Sequence, residues 1–278
     1  MTISTGLANL ICIGFTVIYI IGFYMFKIPG SRNHPPVIRA RMKAVTVASL
    51  VSVAIVRYLT TANLLTVLGL TFNIQALIKP LLLTSLLFLG PISIRYFDDE
   101  LPFQKNFDFH RDVILTLTEP LGQRNYYVAP FTEELVFRAC MIVVLYQANY
   151  SKGYLIFMSP LYFGLAHLHH AWENYYVLGG TRQAMIQSIS ASLFQFAYTT
   201  VFGWYVSYLF LKTGSLWSCV ICHSFCNIMG FPDFSCIKYR RKREIQCKLK
   251  AFFIYKREMC NGIFVALVEM QLYMLVFR

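Results

Sequence analysis

Long apolar runs dominate this chain, and they are too uniform to be the one-sided faces of soluble helices. The first covers residues 7–26, about the 20 apolar residues needed to cross ~30 Å of hydrocarbon. No positive segment precedes it and no small-residue cleavage site follows; Lys27 and a Pro29-Gly30 turn end it. It therefore reads as a retained span rather than a removed leader. Second and third spans are predicted over residues 44–59 and 77–94, and further apolar helical segments over 128–147, 155–167, 184–211 and 216–230. No internal repeat is evident.

Charge gives the runs an orientation. The loop between the first two spans carries Lys27, Arg32, Arg39, Arg41 and Lys43 and no acid. Cytoplasmic loops are enriched in Lys and Arg, so this loop is expected in the cytosol and the N-terminus across the membrane. Parity returns the chain to the cytosolic side near Arg95. Residues 95–124, polar, acid-rich and aromatic, read as a cytosolic connector with a short amphipathic helix.

Composition agrees. Of 278 residues, 57% are hydrophobic and only 14% charged, against ~25% charged in soluble domains, and mean hydropathy is +0.54. So few charges cannot cover a water-exposed surface. The expected fold is all-α, a polytopic integral membrane helical bundle. The net charge of +12 is not a nucleic-acid signal. Residues 238–278 hold 10 Lys/Arg against 3 Asp/Glu, and a basic stretch beside spans is suited to anionic membrane lipid. The eight cysteines lie mostly in apolar runs with no disulfide framework. Cys219, Cys222 and Cys226, at helical spacing, read as small packing residues, and reduced thiols are expected.

Polar residues within apolar segments are expensive in lipid and mark function. Thr132-Glu133-Glu134-Leu135-Val136-Phe137-Arg138 follows Pro130, and Thr132 is placed to cap a helix start. Glu134 and Arg138 are i,i+4 with the acid first, the favoured order for an ion pair. Glu133 points about 100° away, as one helical residue step requires, with no local basic partner. These are either solvated acids at a helix start, or one structural carboxylate and one base. Phe163-Gly164-Leu165-Ala166-His167 ends another segment, where His167 is an interface histidine, part of a His-rich loop with His169 and His170, or a catalytic group. Gly164 permits close approach of a neighbouring helix. His223 and Asn227 share a face at i,i+4, as inter-helix glue or as part of a site. Together these groups can activate water and stabilise an oxyanion. Neither a G-x-S-x-G elbow nor an H-E-x-x-H pair occurs. A metal centre built from Glu133, His167 and His223 is chemically possible, and spacing leaves it open.

The run 129–138 resembles the E-E-x-x-x-R motif of the type II CAAX prenyl endopeptidases, the Ras-converting enzymes. Phe163–His167 is similar to their F-x-x-x-H motif, and His223 with Asn227 to their H-x-x-x-N motif. Leu168-His169-His170, Phe194-Gln195-Phe196, Thr200-Val201-Phe202-Gly203 and Cys222-His223-Ser224-Phe225-Cys226-Asn227 extend the likeness. It covers about 124–232 and goes beyond the wider abortive-infection-like membrane protein family. The resemblance implies a multi-pass protein of the endoplasmic reticulum membrane with an intramembrane polar cavity open to the cytosol and lipid. It also implies removal of the last three residues from prenylated C-a-a-X proteins, with Ras-type GTPases as typical substrates. Glu133 is then the base, with His167 helping to hold and deprotonate water. His223 and Asn227 stabilise the oxyanion, while Glu134, Arg138 and Phe163 support the site. No metal or other cofactor is implied, and no nucleic-acid partner.

The expected organisation is 1–125, N-terminal spans and connector; 126–232, the catalytic helical core; and 233–278, an atypical basic tail. In that tail residues 238–257 are basic, and the apolar run 259–277 is either a final span or a surface helix. The rival readings are an intramembrane hydrolase with other substrates, and a non-enzymatic scaffold or transporter using the polar groups as glue. A transporter favours repeated halves, which are not seen here.

Overall fold

A computed structural model describes residues 3–25, 28–167 and 169–230. The expected tail, with its basic stretch 238–257 and apolar run 259–277, lies outside the described residues, as do Lys27 and the side chains of His169 and His170.

Among the described residues the chain is helical throughout, without strands. α1 spans Thr5–Met25 and α2 Pro35–Leu59, and both are long and apolar enough to cross a membrane. α1 is apolar all round, so burial selects its packing face: Ala8, Cys12, Phe15, Tyr19 and Gly22 recur at steps of three and four and are buried, while Leu10, Ile13, Val17 and Ile21 face outward. That two-sided pattern fits a helix with protein on one side and lipid on the other. α2 begins well before the predicted residue 44. Pro35 and Pro36 start it because prolines suit the first helical turn, where an N–H has no partner. Its buried Ser49 and Ser52 donate to the carbonyls of Val45 and Ala48 at 2.7 and 2.9 Å, which satisfies hydroxyls without water.

The third predicted span is not one straight helix. α3 is a single turn, Leu64–Val67, after which α4 (Ile74–Leu87) and α5 (Leu89–Phe97) meet at a 71° bend. Pro91 explains it: proline lacks an N–H and its ring clashes with the carbonyl four residues back, that of Leu87. Counted as one broken span, the pair brings the candidate spans to three.

The connector carries a π-helical turn, π1 (His110–Leu115), and then α6 (Thr116–Thr118). Asp108 accepts from the Arg111 N–H, and Asp112 accepts from the Asp108 N–H, a reciprocal cap of the capping-box kind. The Arg111 side chain bonds the Asp112 carboxylate and lowers its pKa to about 2.

The next run is helical from Pro120 onward: α7 (Pro120–Gln123), π2 (Arg124–Val128), α8 (Ala129–Glu134), π3 (Leu135–Cys140) and α9 (Met141–Gln147). It starts earlier than the predicted residue 128, so Thr132 is inside a helix and caps nothing. Its hydroxyl donates to the Val128 carbonyl at 2.7 Å and accepts from Tyr19 Oη at 2.9 Å. α10 (Lys152–Phe157), α11 (Ser159–Ala166), α12 (His169–Val177), α13 (Arg182–Thr213) and α14 (Leu216–Met229) complete the described chain.

α14 runs between two clamped ends. At one, Leu216 N–H donates to Gly69 O and Trp217 Nε1 to Leu70 O, both at 2.9 Å. At the other, Ser224 Oγ and Asn227 Nδ2 donate to the carbonyls of Tyr126 and Asn125, again at 2.9 Å. The buried cysteines Cys12, Cys140, Cys219 and Cys222 are free thiols, as is the partly buried Cys226.

A Cβ at Gly22 would lie 2.9 Å from Ala44 Cβ, whereas one at Gly14 meets nothing within 4 Å. Gly22→Leu is expected to destabilise the α1–α2 pair by about 1–3 kcal/mol through overpacking, and Gly14→Leu to be near neutral. Thermal unfolding of the detergent-solubilised protein separates the two.

Candidate active site

The site grows from a charge that has no water to face. Arg138, on π3, has a side chain that is 0% exposed. An ammonium or guanidinium so placed loses several kcal/mol of hydration unless neighbours replace it. Glu134, one turn earlier and also fully buried, sets Oε2 3.1 Å from Arg138 Nε. This is an ion pair without hydrogen-bond alignment. The Phe163 ring of α11 lies under the guanidinium carbon at 4.3 Å, a cation–π contact that is strongest away from water. α13 contributes the absence of a side chain. A Cβ at Gly203 would come 2.5 Å from Pro160 Cβ and 3.3 Å from Arg138 Nη2.

The same carboxylate holds the histidine of α14. Glu134 Oε1 is 2.6 Å from His223 Nδ1, and His223 Nε2 is 3.8 Å from Glu133 Oε2. His223 thus stands between two carboxylates from adjacent positions of one helix. With Nδ1–H donated to Glu134, Nε2 faces Glu133. The Phe202 ring of α13 meets the imidazole edge-on at 5.1 Å, limiting its rotation. A water beside the Glu133–His223 pair can bond both groups, so the arrangement can take a proton from water and present a second polar atom next to it.

His167, capping α11, reaches this cluster through Phe163. Its Nδ1 lies 2.8 Å from the Phe163 carbonyl and its ring meets the Phe163 ring at 4.5 Å. Gly164 is buried at the α11–α13 contact, where a Cβ would strike the Phe196 ring at 2.8 Å and Thr200 Oγ1 at 2.9 Å. Asn227 is exposed at the far end of α14. One Nδ2 proton is committed to Asn125 O, and the other has no acceptor among the described residues. The structure therefore joins Glu133, Glu134, Arg138, Phe163 and His223 directly, links His167 through Phe163, and sets Asn227 one turn beyond His223. Among the described residues, no group of three His, Cys, Asp or Glu side chains could hold a metal ion.

Several supporting residues lie outside the sequence reading of the site. Tyr19 reaches Thr132 from α1, and its ring packs on Phe137 at 5.3 Å, which packs on Phe163 at 5.1 Å. A tyrosine in an apolar span carries no sequence signal of such a role. Phe202 and Gly203 do, since they fall within the text that resembles the endopeptidases.

Comparison with known proteins bears on the same residues. The model of the Rce1-like type II CAAX prenyl endopeptidase family matches residues 120–229. The human protein named CAAX prenyl protease 2 is 40% identical over 234 residues, covering 80% of this chain and 70% of the relative. The Schizosaccharomyces pombe protein named probable CAAX prenyl protease 2 is 36% identical, covering 80% of each chain. The Arabidopsis thaliana CAAX prenyl protease 2 is 32% identical, covering 83% of this chain and 82% of its own. No solved structure matches the chain.

Removing one member of the buried pair leaves the other uncompensated. Glu134→Ala is expected to cost about 3–5 kcal/mol, while Glu134→Leu combined with Arg138→Met recovers most of that loss. Unfolding midpoints of the single and double variants in detergent check the difference.

Proposed function

The chain belongs to the Rce1-like type II CAAX prenyl endopeptidases and is a membrane protease of that class, and on that premise we propose the reaction, substrates and residue roles that follow. The substrates are prenylated C-a-a-X proteins, Ras-type GTPases among them, and the product is the protein shortened by its last three residues. The protein acts in the endoplasmic reticulum membrane, with its site open to the cytosol and to lipid. Residues 126–232 carry the chemistry. The prenyl chain stays in lipid while the peptide enters from the cytosolic side, where the basic segment 32–43, a short loop and the first turns of α2, is expected by its charge.

Glu133 takes a proton from water as the oxygen attacks the carbonyl carbon after the prenylated cysteine. His167 helps to hold that water. The carbonyl oxygen becomes an oxyanion, stabilised by the uncommitted Asn227 N–H and by His223 in its doubly protonated form, whose Nε2–H is the donor while Nδ1–H stays on Glu134. Collapse breaks the C–N bond, and the proton held by Glu133 passes to the leaving amine, freeing the tripeptide. Atoms and charge balance with water as the only co-reactant. Glu134, Arg138 and Phe163 hold the geometry. One observation carries this reading: His223 is anchored at 2.6 Å by Glu134 while its other nitrogen stands 3.8 Å from Glu133. A carboxylate that only solvated a helix start has no need of an oriented imidazole opposite it.

Release of the tripeptide from a farnesylated C-a-a-X peptide by membranes bearing the protein tests the roles. Glu133→Ala, His167→Ala and His223→Ala are each expected to lower the rate by 10²-fold or more, and Asn227→Ala by roughly 10²-fold, with the variants still present in the membrane. Full activity in any one of them removes that residue from the mechanism.

A further inference from the structure

One charged cluster is not used by this chemistry. Arg124 opens π2, nine residues before Glu133 on the same helical run. Its Nε donates to Asn125 Oδ1 at 2.9 Å, its Nη1 to the Arg32 carbonyl at 3.2 Å and to Asn33 Oδ1 at 3.3 Å, and its Nη2 to Asn33 Oδ1 at 3.2 Å. All of these acceptors are neutral. They orient the guanidinium without cancelling its charge and leave an Nη2 N–H uncommitted, since arginine has five donors. Arg41 stands close by, but it is paired with Glu173 of α12 at 2.7 Å. Among the described residues neither Arg124 nor Arg32 has an acidic partner. Half-burial, and then the charges of Arg32 and Arg41, hold Arg124 below its ordinary pKa. Only the Arg124 guanidinium is held by these neutral groups, the Arg32 side chain being exposed; a cation fixed near like charges is unfavourable until an anion enters.

The position of the cluster indicates which anion. Nine residues at the α-helical rise of 1.5 Å set an upper bound of about 13 Å between Arg124 and Glu133 along the axis, shortened by the wider π2 turn. A peptide lying with its scissile carbonyl at Glu133 extends three more residues, about 10 Å at 3.3–3.6 Å each, and an arginine side chain closes the remainder. Asn227 marks the route: it is bonded to the carbonyl of Asn125, the neighbour of Arg124, and lies one turn from His223. We propose that Arg124, with Arg32, binds the free α-carboxylate at the end of the substrate, and so measures the three residues to be removed. This rests on the endopeptidase reading above. A lipid phosphate is the competing anion, but Arg124 is half-buried and held by the loop before α2, a seat that suits a terminus held in register. Arg39 and Lys43, exposed on α2, are the better placed groups for headgroups.

The test uses the full-length protein in membranes and two farnesylated peptides that differ only in ending as free acid or carboxamide. The wild type is expected to favour the acid in kcat/KM by roughly tenfold or more, the worth of a charge-assisted hydrogen bond. Arg124→Gln should collapse that preference through KM for the acid, Arg32→Gln should reduce it, and Arg124→Lys should keep part of it. The inference is overturned if the wild type shows no preference, if Arg124→Gln keeps it, or if that variant lowers both peptides equally, as a merely structural residue would. If Arg124→Gln keeps the acid preference but abolishes the dependence of the rate on the phosphatidylserine content of reconstituted vesicles, the cluster belongs to lipid and the inference is overturned. If the wild type cuts neither peptide, the protease reading falls and this inference falls with it.

Discussion

A guanidinium buried in an apolar helical bundle dictates much of what surrounds it. Arg138 cannot be hydrated where it lies, and the idealised cost of moving such an ion from water to a low-dielectric interior is on the order of 20 kcal/mol before relaxation. Three helices meet that demand in different ways: Glu134 supplies opposite charge from the same helix, Phe163 a quadrupole from α11, and Gly203 on α13 the space in which the cation sits. Because each contribution has a short range, the helices that make them have little freedom to slide. The orientation of Glu134 is fixed in consequence. Since Glu134 also holds His223, the buried cation indirectly sets the imidazole against Glu133.

This arrangement gives two adjacent, chemically identical carboxylates different surroundings. Glu134 is fully buried, faces one cation and one imidazole, and has both oxygens engaged. Glu133, one residue earlier, is partly exposed, and its closest basic partner, His223, lies beyond hydrogen-bond distance at 3.8 Å. A carboxylate with its oxygens committed makes a good anchor and a poor base; one left free within reach of an imidazole has the opposite properties. The aromatic chain Tyr19–Phe137–Phe163–His167 extends the same support to the second histidine. α1 is thereby packed into the site's surroundings through Tyr19.

The run from Pro120 to Gln147 is not a uniform α-helix, because π2 and π3 interrupt it on either side of α8. π-Helical turns are frequent at functional sites, and here they flank the two glutamates. The turns change the angular step between residues, so a helical wheel drawn on the sequence misplaces groups several turns apart. Arg124, Glu133 and Arg138 all lie on this run, and their relative facing follows from tertiary contacts with α2, α11 and α14.

The sequence by itself determined the all-helical membrane class, the first two spans and the i,i+4 pairing of Glu134 with Arg138, because these depend on local hydrophobicity and on the fixed rise of a helix. The reach of Asn227 back to the Asn125 carbonyl was not legible, nor was the contact of His223 with Glu134, 89 positions away in sequence. Pro91 carried the signal for the break at Phe88, but apolar periodicity alone ran straight through it. Thr132 looked like a cap because Pro130, two residues earlier, suits a helix start. In the folded chain that turn is helical, and Tyr19 from α1 claims the hydroxyl. The convergence of Arg124 with Arg32 likewise belongs to the fold alone. Spacing along one helix fixes which residues share a face, whereas which faces meet depends on how separate helices dock. In lipid that docking is governed by close packing and by partners for buried polar groups rather than by hydrophobic pattern.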